Sequence, residues 1–284
     1  MTLNYQLPYL PERPAKPRQS GVTMMMDKGL SLREAEDFCS VSGEYTDLVK
    51  FGFGTSLICN NVADKLNVYR QAGIETYFGG TLFEAFVIRG MFDDFLRYLE
   101  KYQMKYVEVS DGTIEMDHDV KLKYIERLAK DYTVLSEVGS KLAGRVITNN
   151  EWIMMMRSEL QAGAWKVIAE ARESGTIGIF NADGSANTKL IADIEQQVEQ
   201  TKIIWETPQK NQQVWFIQHM GANVNLGNIA PYEMIPLETL RQGLRGDTLL
   251  SFFSPKSCYD HLEMIYMPES CVKPRRSQAF FIPL

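Results

Sequence analysis

The chain has 284 residues, of which 30 are basic and 36 acidic, for a formal charge of −6. A hydrophobic share of 45% excludes a disordered chain and suits one or two domains with a sizeable core. The acidic balance argues against nucleic acid or an anionic membrane surface as a partner, and no run approaches the roughly 20 apolar residues of a membrane span.

Taken in chain order, short β-rich runs alternate with helical patterns. The first run, Val22 to Met26, leads into Asp27-Lys28-Gly29, and Ser31-Leu-Arg-Glu34 then reads as a capping box that opens a helix. The second, Asp47 to Phe51, precedes a helix with Val62, Leu66 and Tyr69 on one face and Gly73 as its stop. The third, Glu75 to Phe78, runs into Gly79-Gly80 and a second predicted capping box, Thr81 to Glu84; Phe92, Phe95, Leu96 and Leu99 follow at helical spacing. The fourth is Tyr106 to Ser110, with Leu122, Ile125 and Leu128 behind it, and the fifth is Val134 to Val138, before a helix from about Glu151 to Gln161. The sixth, Lys166 to Glu170, precedes Leu190, Ile191, Ile194 and Val198; the seventh, Lys202 to Glu206, precedes Val214 and Ile217. The eighth, Asn223 to Leu226, is followed by a helix with Pro236 in its first turn.

Eight strand–helix units in a body of this size predict an α/β fold of the (β/α)8 TIM-barrel type. An open doubly wound sheet would carry a Gly-rich phosphate turn after its first strand, and Asp27-Lys28-Gly29 is not one. Prolines mark the edges. Pro8, Pro11, Pro14 and Pro17 crowd the first 20 residues and Pro255, Pro268, Pro274 and Pro283 the last 30, leaving Pro208, Pro231 and Pro236 between them. Proline avoids helix interiors and central strands, so the reading is a single barrel domain over 21–254, an N-terminal arm over 1–20 and a C-terminal arm over 255–284. The N-terminus has no apolar signal segment, and Cys39, Cys59, Cys258 and Cys271 form no close pair. Both point to a reducing cytoplasm.

A TIM barrel keeps its active site at the C-terminal ends of its strands, and polar residues gather there. Strand one ends in Asp27 and Lys28, strand two carries Lys50, and strand three ends in Gly79, Gly80 and Thr81. Strand four offers Glu108, Ser110 and Asp111, strand five Ser136 and Glu137, strand six Glu170, Arg172 and Glu173, and strand seven Glu206. Strand eight holds Asn225 and Asn228, followed by Arg241, Arg245 and Asp247. Carboxylates without a histidine cluster favour a hard cation such as Mg²⁺ over zinc, with Glu108, Glu137 and Glu170 as the expected shell. Interleaved lysines and arginines favour an anionic substrate. Lys28, Ser110, Arg172, Asn225, Asn228, Arg241 and Arg245 are its expected binders, and Asp27 and Lys50 are candidates for the chemistry. A phosphate would sit between the loops after strands seven and eight, where Gly227 would let backbone amides approach. His118, His219 and His261 fall at no strand end, which argues against a histidine base or a Ser-His-Asp triad.

The segments Lys50-Phe-Gly-Phe-Gly-Thr55, Gly79-Gly-Thr-Leu-Phe-Glu84, Glu108-Val-Ser-Asp-Gly-Thr113 and Ser136-Glu-Val-Gly-Ser-Lys141 resemble the phosphosulfolactate synthase family. So do Ala169-Glu-Ala-Arg-Glu-Ser-Gly175, Val224-Asn-Leu-Gly-Asn-Ile229 and Leu237 to Thr248. The resemblance spans roughly residues 16 to 250. It implies a Mg²⁺-dependent lyase-type enzyme of sulfonate biosynthesis, coenzyme M included. Such an enzyme adds sulfite to phosphoenolpyruvate and yields (2R)-2-O-phospho-3-sulfolactate. It also implies that Lys141 is the general acid, although relatives with two adjacent lysines have one where this chain has Ser140; if that lysine acts, this protein is inactive or uses Lys50 or Lys28 instead. Phosphoenolpyruvate and sulfite are the expected small-molecule partners, and a homo-oligomer is expected. The same resemblance reaches plant heat-stress-associated proteins, so the alternative is a non-catalytic barrel serving as a stress or interaction protein.

Overall fold

The structure, a computed structural model, describes residues 4–5, 7–139, 147–172 and 174–252. Lys141, Glu173, His261 and the whole of the expected C-terminal arm lie outside the described residues. The strands are β1 (Thr23–Asp27), β2 (Leu48–Phe51), β3 (Glu75–Phe78), β4 (Tyr106–Val109), β5 (Thr133–Val138), β6 (Lys166–Ala169), β7 (Ile203–Glu206) and β8 (Leu226–Ile229). The α-helices are α1 (Leu32–Ser42), α2 (Val62–Gln71), α3 (Gly80–Val87), α4 (Phe92–Lys101), α5 (His118–Leu128), α6 (Asn149–Gln161), α7 (Thr188–Glu195), α8 (Lys210–Met220) and α9 (Met234–Arg241). All the strand pairings are parallel, in the order β3-β2-β1-β8-β7-β6-β5-β4. The two ends of that order, β3 and β4, meet and bring the sheet round into a (β/α)8 barrel.

Local chemistry sets most element boundaries. Ser31 caps α1 as its sequence predicts: Glu34 N donates to Ser31 Oγ at 3.2 Å, and Ser31 N to Glu34 Oε2 at 2.7 Å. Thr148 and Glu151 form the same reciprocal box, so α6 begins at Asn149, two residues before the predicted start. The predicted box at Thr81 does not form. Gly79 is the N-cap of α3, without a side-chain bond, and Glu84 faces elsewhere. Strand eight lies three residues later than predicted, over Leu226–Ile229.

Alternation along the strands divides the core in two. Val22, Met24, Leu48, Tyr77, Leu135, Ile168 and Ile204 fill the barrel, while Val49, Phe51, Val107, Val134 and Ile203 face the helices. Gly227 belongs to this packing. A Cβ there would lie 2.7 Å from Met24 and 2.9 Å from Ile204, so its small size serves the interior and not a phosphate.

The described part of the N-terminal arm crosses the strand starts. Arg13 donates to Glu238 at 3.1 and 3.2 Å, to Asn223 Oδ1 at 2.5 Å and to the Gly21 carbonyl at 3.2 Å. Arg18 pairs with Asp47 at 3.0 Å. The Arg13 and Glu238 side chains are only 2% and 8% exposed. Arg13→Ala therefore strands a buried carboxylate, and urea unfolding should register a loss of about 2–4 kcal/mol. A change under about 0.5 kcal/mol would mean that the arm merely lies on the barrel.

Candidate active site

Two residues further along the strands, about 6–7 Å above the apolar filling, the interior turns ionic. Lys50 stands two positions beyond Leu48, Glu137 two beyond Leu135, Glu206 two beyond Ile204 and Glu108 two beyond Tyr106, so all four inherit the inward direction. The Lys50 ammonium lies 3.0 Å from Glu108, 3.0 Å from Glu137 and 3.6 Å from Glu206. Burial alone would lower its pKa, but the three carboxylates together overcome burial and hold it well above the ordinary lysine value. Glu108 moves the other way: desolvation outweighs the pull of Lys50 and pushes it up to about 7. Its Oε1 accepts from Gly80 N at 2.5 Å. Its Oε2 and the Tyr77 hydroxyl are buried with no hydrogen-bond partner among the described residues. Burial, then the Glu108 charge, raises the Tyr77 phenol well above its usual pKa.

This cluster forms the floor of a cavity of about 500 Å³ at the C-terminal ends of the strands. Lys50, Glu137, Glu206 and Asn228 line it, with Gly79, Thr81, Thr113, Arg172 and Ser174 towards the rim and Met26, Gly52, Phe53 and Ala171 between them. Glu206 Oε2 also accepts from Ala171 N at 3.1 Å and from Asn228 Nδ2 at 3.5 Å, tying the ends of β6, β7 and β8 together. The wall after β4 is fastened by α3. Glu84 accepts from the Ser110 and Thr113 hydroxyls, and from Thr113 N at 2.9 Å.

Of the residues singled out from the sequence, Lys50, Glu108 and Glu137 meet at this floor, and Arg172 and Asn228 border the cavity. Lys28 is exposed at the rim, with Nζ 5.9 Å from the centre of the Phe53 ring. Glu170 is buried beside Gly139 and is not part of the cavity lining. Ser110 is committed to Glu84.

Four expectations need correction. Asp27 shares the outward face of β1 with Met25. Its carboxylate accepts from Gly29 N, Leu30 N and the Tyr69 hydroxyl at 2.8–2.9 Å and pairs with Lys65 at 2.6 Å, which makes it a helix-side anchor. Asn225 precedes β8 and bonds Val22 N and the Ile203 carbonyl at 3.0 Å, at the opposite end of the barrel. Arg241 is wholly buried at that same end, donating to the Ala222 and Val224 carbonyls at 2.6 and 2.7 Å. Arg245 lines an outer groove with Lys210, Glu233 and Thr239, apart from the mouth.

Local sequence pattern assigns no role in the site to Glu84, Thr113 or Glu206. Glu206 was findable, because it holds the same place on its strand as Glu137. His118 and His219 lie on helices α5 and α8, away from the cavity.

Comparison with known proteins adds a consistent set of likenesses. The family model described as (2R)-phospho-3-sulfolactate synthase (ComA) matches residues 11–247. The phosphosulfolactate synthase of Bacillus subtilis (strain 168) is 41% identical over 243 residues, 84% of this chain and 96% of that protein. That of Methanocaldococcus jannaschii is 44% identical over 237 residues, 81% of this chain and 94% of its own length. That of Methanothermobacter thermautotrophicus is 40% identical over 245 residues, covering 84% and 95%. Among solved structures, 3-hexulose-6-phosphate synthase from Salmonella typhimurium aligns with 81% of this chain and 98% of its own at a TM-score of 0.49 and 15% identity.

Proposed function

The chain belongs to the (2R)-phospho-3-sulfolactate synthase family, and we propose that the cavity above Lys50 is where it carries out that family's reaction, the addition of sulfite to phosphoenolpyruvate. The observation that carries this reading is the buried ammonium of Lys50 at the cavity floor, held charged by three carboxylates.

In the reaction the sulfur lone pair of sulfite attacks the methylene carbon of phosphoenolpyruvate. The carbon–carbon π electrons move toward the carboxylate, giving an aci-carboxylate dianion, and a proton then adds to the central carbon. Charge develops on the substrate carboxylate, so a fixed cation aimed there lowers the barrier. Lys50 suits that task because it keeps its proton throughout. Glu108, Glu137 and Glu206 hold it in place and deny it the freedom to follow the substrate charge. Arg172, Thr81 and Ser174 supply donors around the mouth for the phosphate and sulfite oxygens, while Thr113 and Asn228, whose donors go to Glu84, Ala171 and Glu206, shape the wall.

Among the described residues no three carboxylates are gathered as a ready metal site, yet the donor set suits a hard cation. It is all oxygen, its carboxylates outnumber its lysine, and Glu108 Oε2 is buried without a hydrogen-bond partner among the described residues. Glu108 and Glu137 would hold Mg²⁺, with Glu170 as the third candidate. Such an ion would supply Lewis-acid stabilisation of the developing charge.

Incubation of the purified protein with phosphoenolpyruvate, sulfite and Mg²⁺ is expected to form phosphosulfolactate, read by phosphorus NMR and mass spectrometry. A folded protein that forms no product would defeat this reading.

A further inference from the structure

A second group of charges is buried behind β4 and β5, on the helix side of the barrel wall. Lys121 of α5 is wholly buried, and so is Glu159 of α6; Asp111, on the loop after β4, is 5% exposed. The Lys121 ammonium lies 2.9 Å from Asp111 Oδ1 and 2.9 Å from Glu159 Oε1, and it donates to the Glu137 carbonyl at 2.6 Å. Buried ion groups of this kind are a poor route to stability, because well-packed apolar residues of similar volume often do as well or better. The third contact of Lys121 gives the group a different meaning.

Consecutive carbonyls of a strand point to opposite neighbours. The Val138 carbonyl accepts from Glu170 N at 3.0 Å, on the β6 side, so the Glu137 carbonyl faces β4. There β4 has already ended, its register with β5 stopping at Val109 opposite Ser136. Lys121 therefore replaces the ladder donor that β4 no longer provides, at a residue whose side chain pairs with Lys50. The same ammonium anchors Asp111, while Glu84 grips Ser110 and Thr113 on either side of it.

We propose that Lys121, with Asp111 and Glu159 as its counter-ions, is a positioning residue for the reaction. It fixes the end of β5 and the loop after β4, so that Lys50, held by Glu137, and the wall at Thr113 keep their places around one substrate. The proposal rests on the reading of the cavity given above.

The triple variant Lys121→Met/Asp111→Asn/Glu159→Gln removes the three charges together, so it leaves no unpaired ion to unfold the barrel. Glu159→Gln alone is its companion and keeps Lys121 on both Asp111 and the Glu137 carbonyl. The triple variant is expected to lose about 30-fold or more in kcat, more than any change in KM, with its melting temperature retained. Glu159→Gln is expected to stay within about threefold of the parent. Parental kcat in the triple variant, or an equal loss in Glu159→Gln, overturns the proposal. Turnover by the parent is measured in the same assay. If the parent has none, the reading of the reaction fails, and positioning is judged from amide exchange. Faster exchange confined to residues 110–113 and 135–139 of the triple variant sustains it, and unchanged exchange there overturns it.

Discussion

Lys50→Met is expected to lower turnover by about three orders of magnitude, the scale on which loss of one preorganised electrostatic contact is felt. The side chain keeps much of its volume and loses only its charge. Three carboxylates then face one another with no internal cation, since Lys50 lies within 3.6 Å of each. Stripping one partner from a buried ion group costs about 3–5 kcal/mol, so the barrel is expected to weaken as well. The pH dependence follows from sign. Glu108 is already pushed up to about 7, chiefly by burial, and loss of Lys50 removes the charge that pulls it down. A carboxyl group with a raised native pKa binds more protons folded than unfolded. The penalty is absent below about pH 4.5 and grows as pH rises through 7. Urea unfolding of the variant with a chelator present should therefore show stability falling over that window, more steeply than in the parent. Turnover within tenfold of the parent would remove Lys50 from the chemistry.

The barrel was legible because its signals are periodic and local. Seven of the eight predicted runs overlap the observed strands nearly throughout, and Ser31 with Glu34 marked a helix start that the backbone adopts. The errors at the site have geometric causes. Strand eight was placed three residues early, and three residues along a strand are about 10 Å and a change of face. That slip carried Asn225 from the strand start, where it bonds Val22 N, to an imagined place at the mouth. Arg241 failed for a related reason. A helix that follows a barrel strand runs back toward the strand starts, so the last residue of α9 had to arrive at the closed end. Asp27 was misread by parity, since it shares the side of Met25 and not that of Met26, which lines the cavity. Glu84 was hidden by a sequence that imitates a capping box. Its partners Ser110 and Thr113 are 26 and 29 residues away, and no local pattern reports such a contact.

Lys141→Ala is expected to lower turnover by about two to four orders of magnitude, the usual worth of a general acid, while leaving the melting temperature unchanged. Two other proton-bearing groups at the cavity floor cannot serve. Lys50 is held well above its ordinary pKa by its carboxylates, and Tyr77 well above its own by burial and the charge of Glu108. Both keep their protons too firmly to give one to a carbon at neutral pH. The chain leaves β5 at Val138, and Lys141 follows three residues later, beyond Gly139, whose neighbour is Glu170. A lysine crowded by a bound cation would have its pKa lowered by like charge, toward the range in which proton transfer is efficient. The two lysine variants thus separate by what they lose. Lys50→Met is expected to forfeit both turnover and stability, because its charge is structural as well as electrostatic. Lys141→Ala is expected to forfeit turnover alone and to regain part of it with added methylammonium. Full activity in Lys141→Ala would move the proton donor to another residue, and with Ser140 standing where some relatives have a second lysine, Lys28 at the rim would be the next to replace.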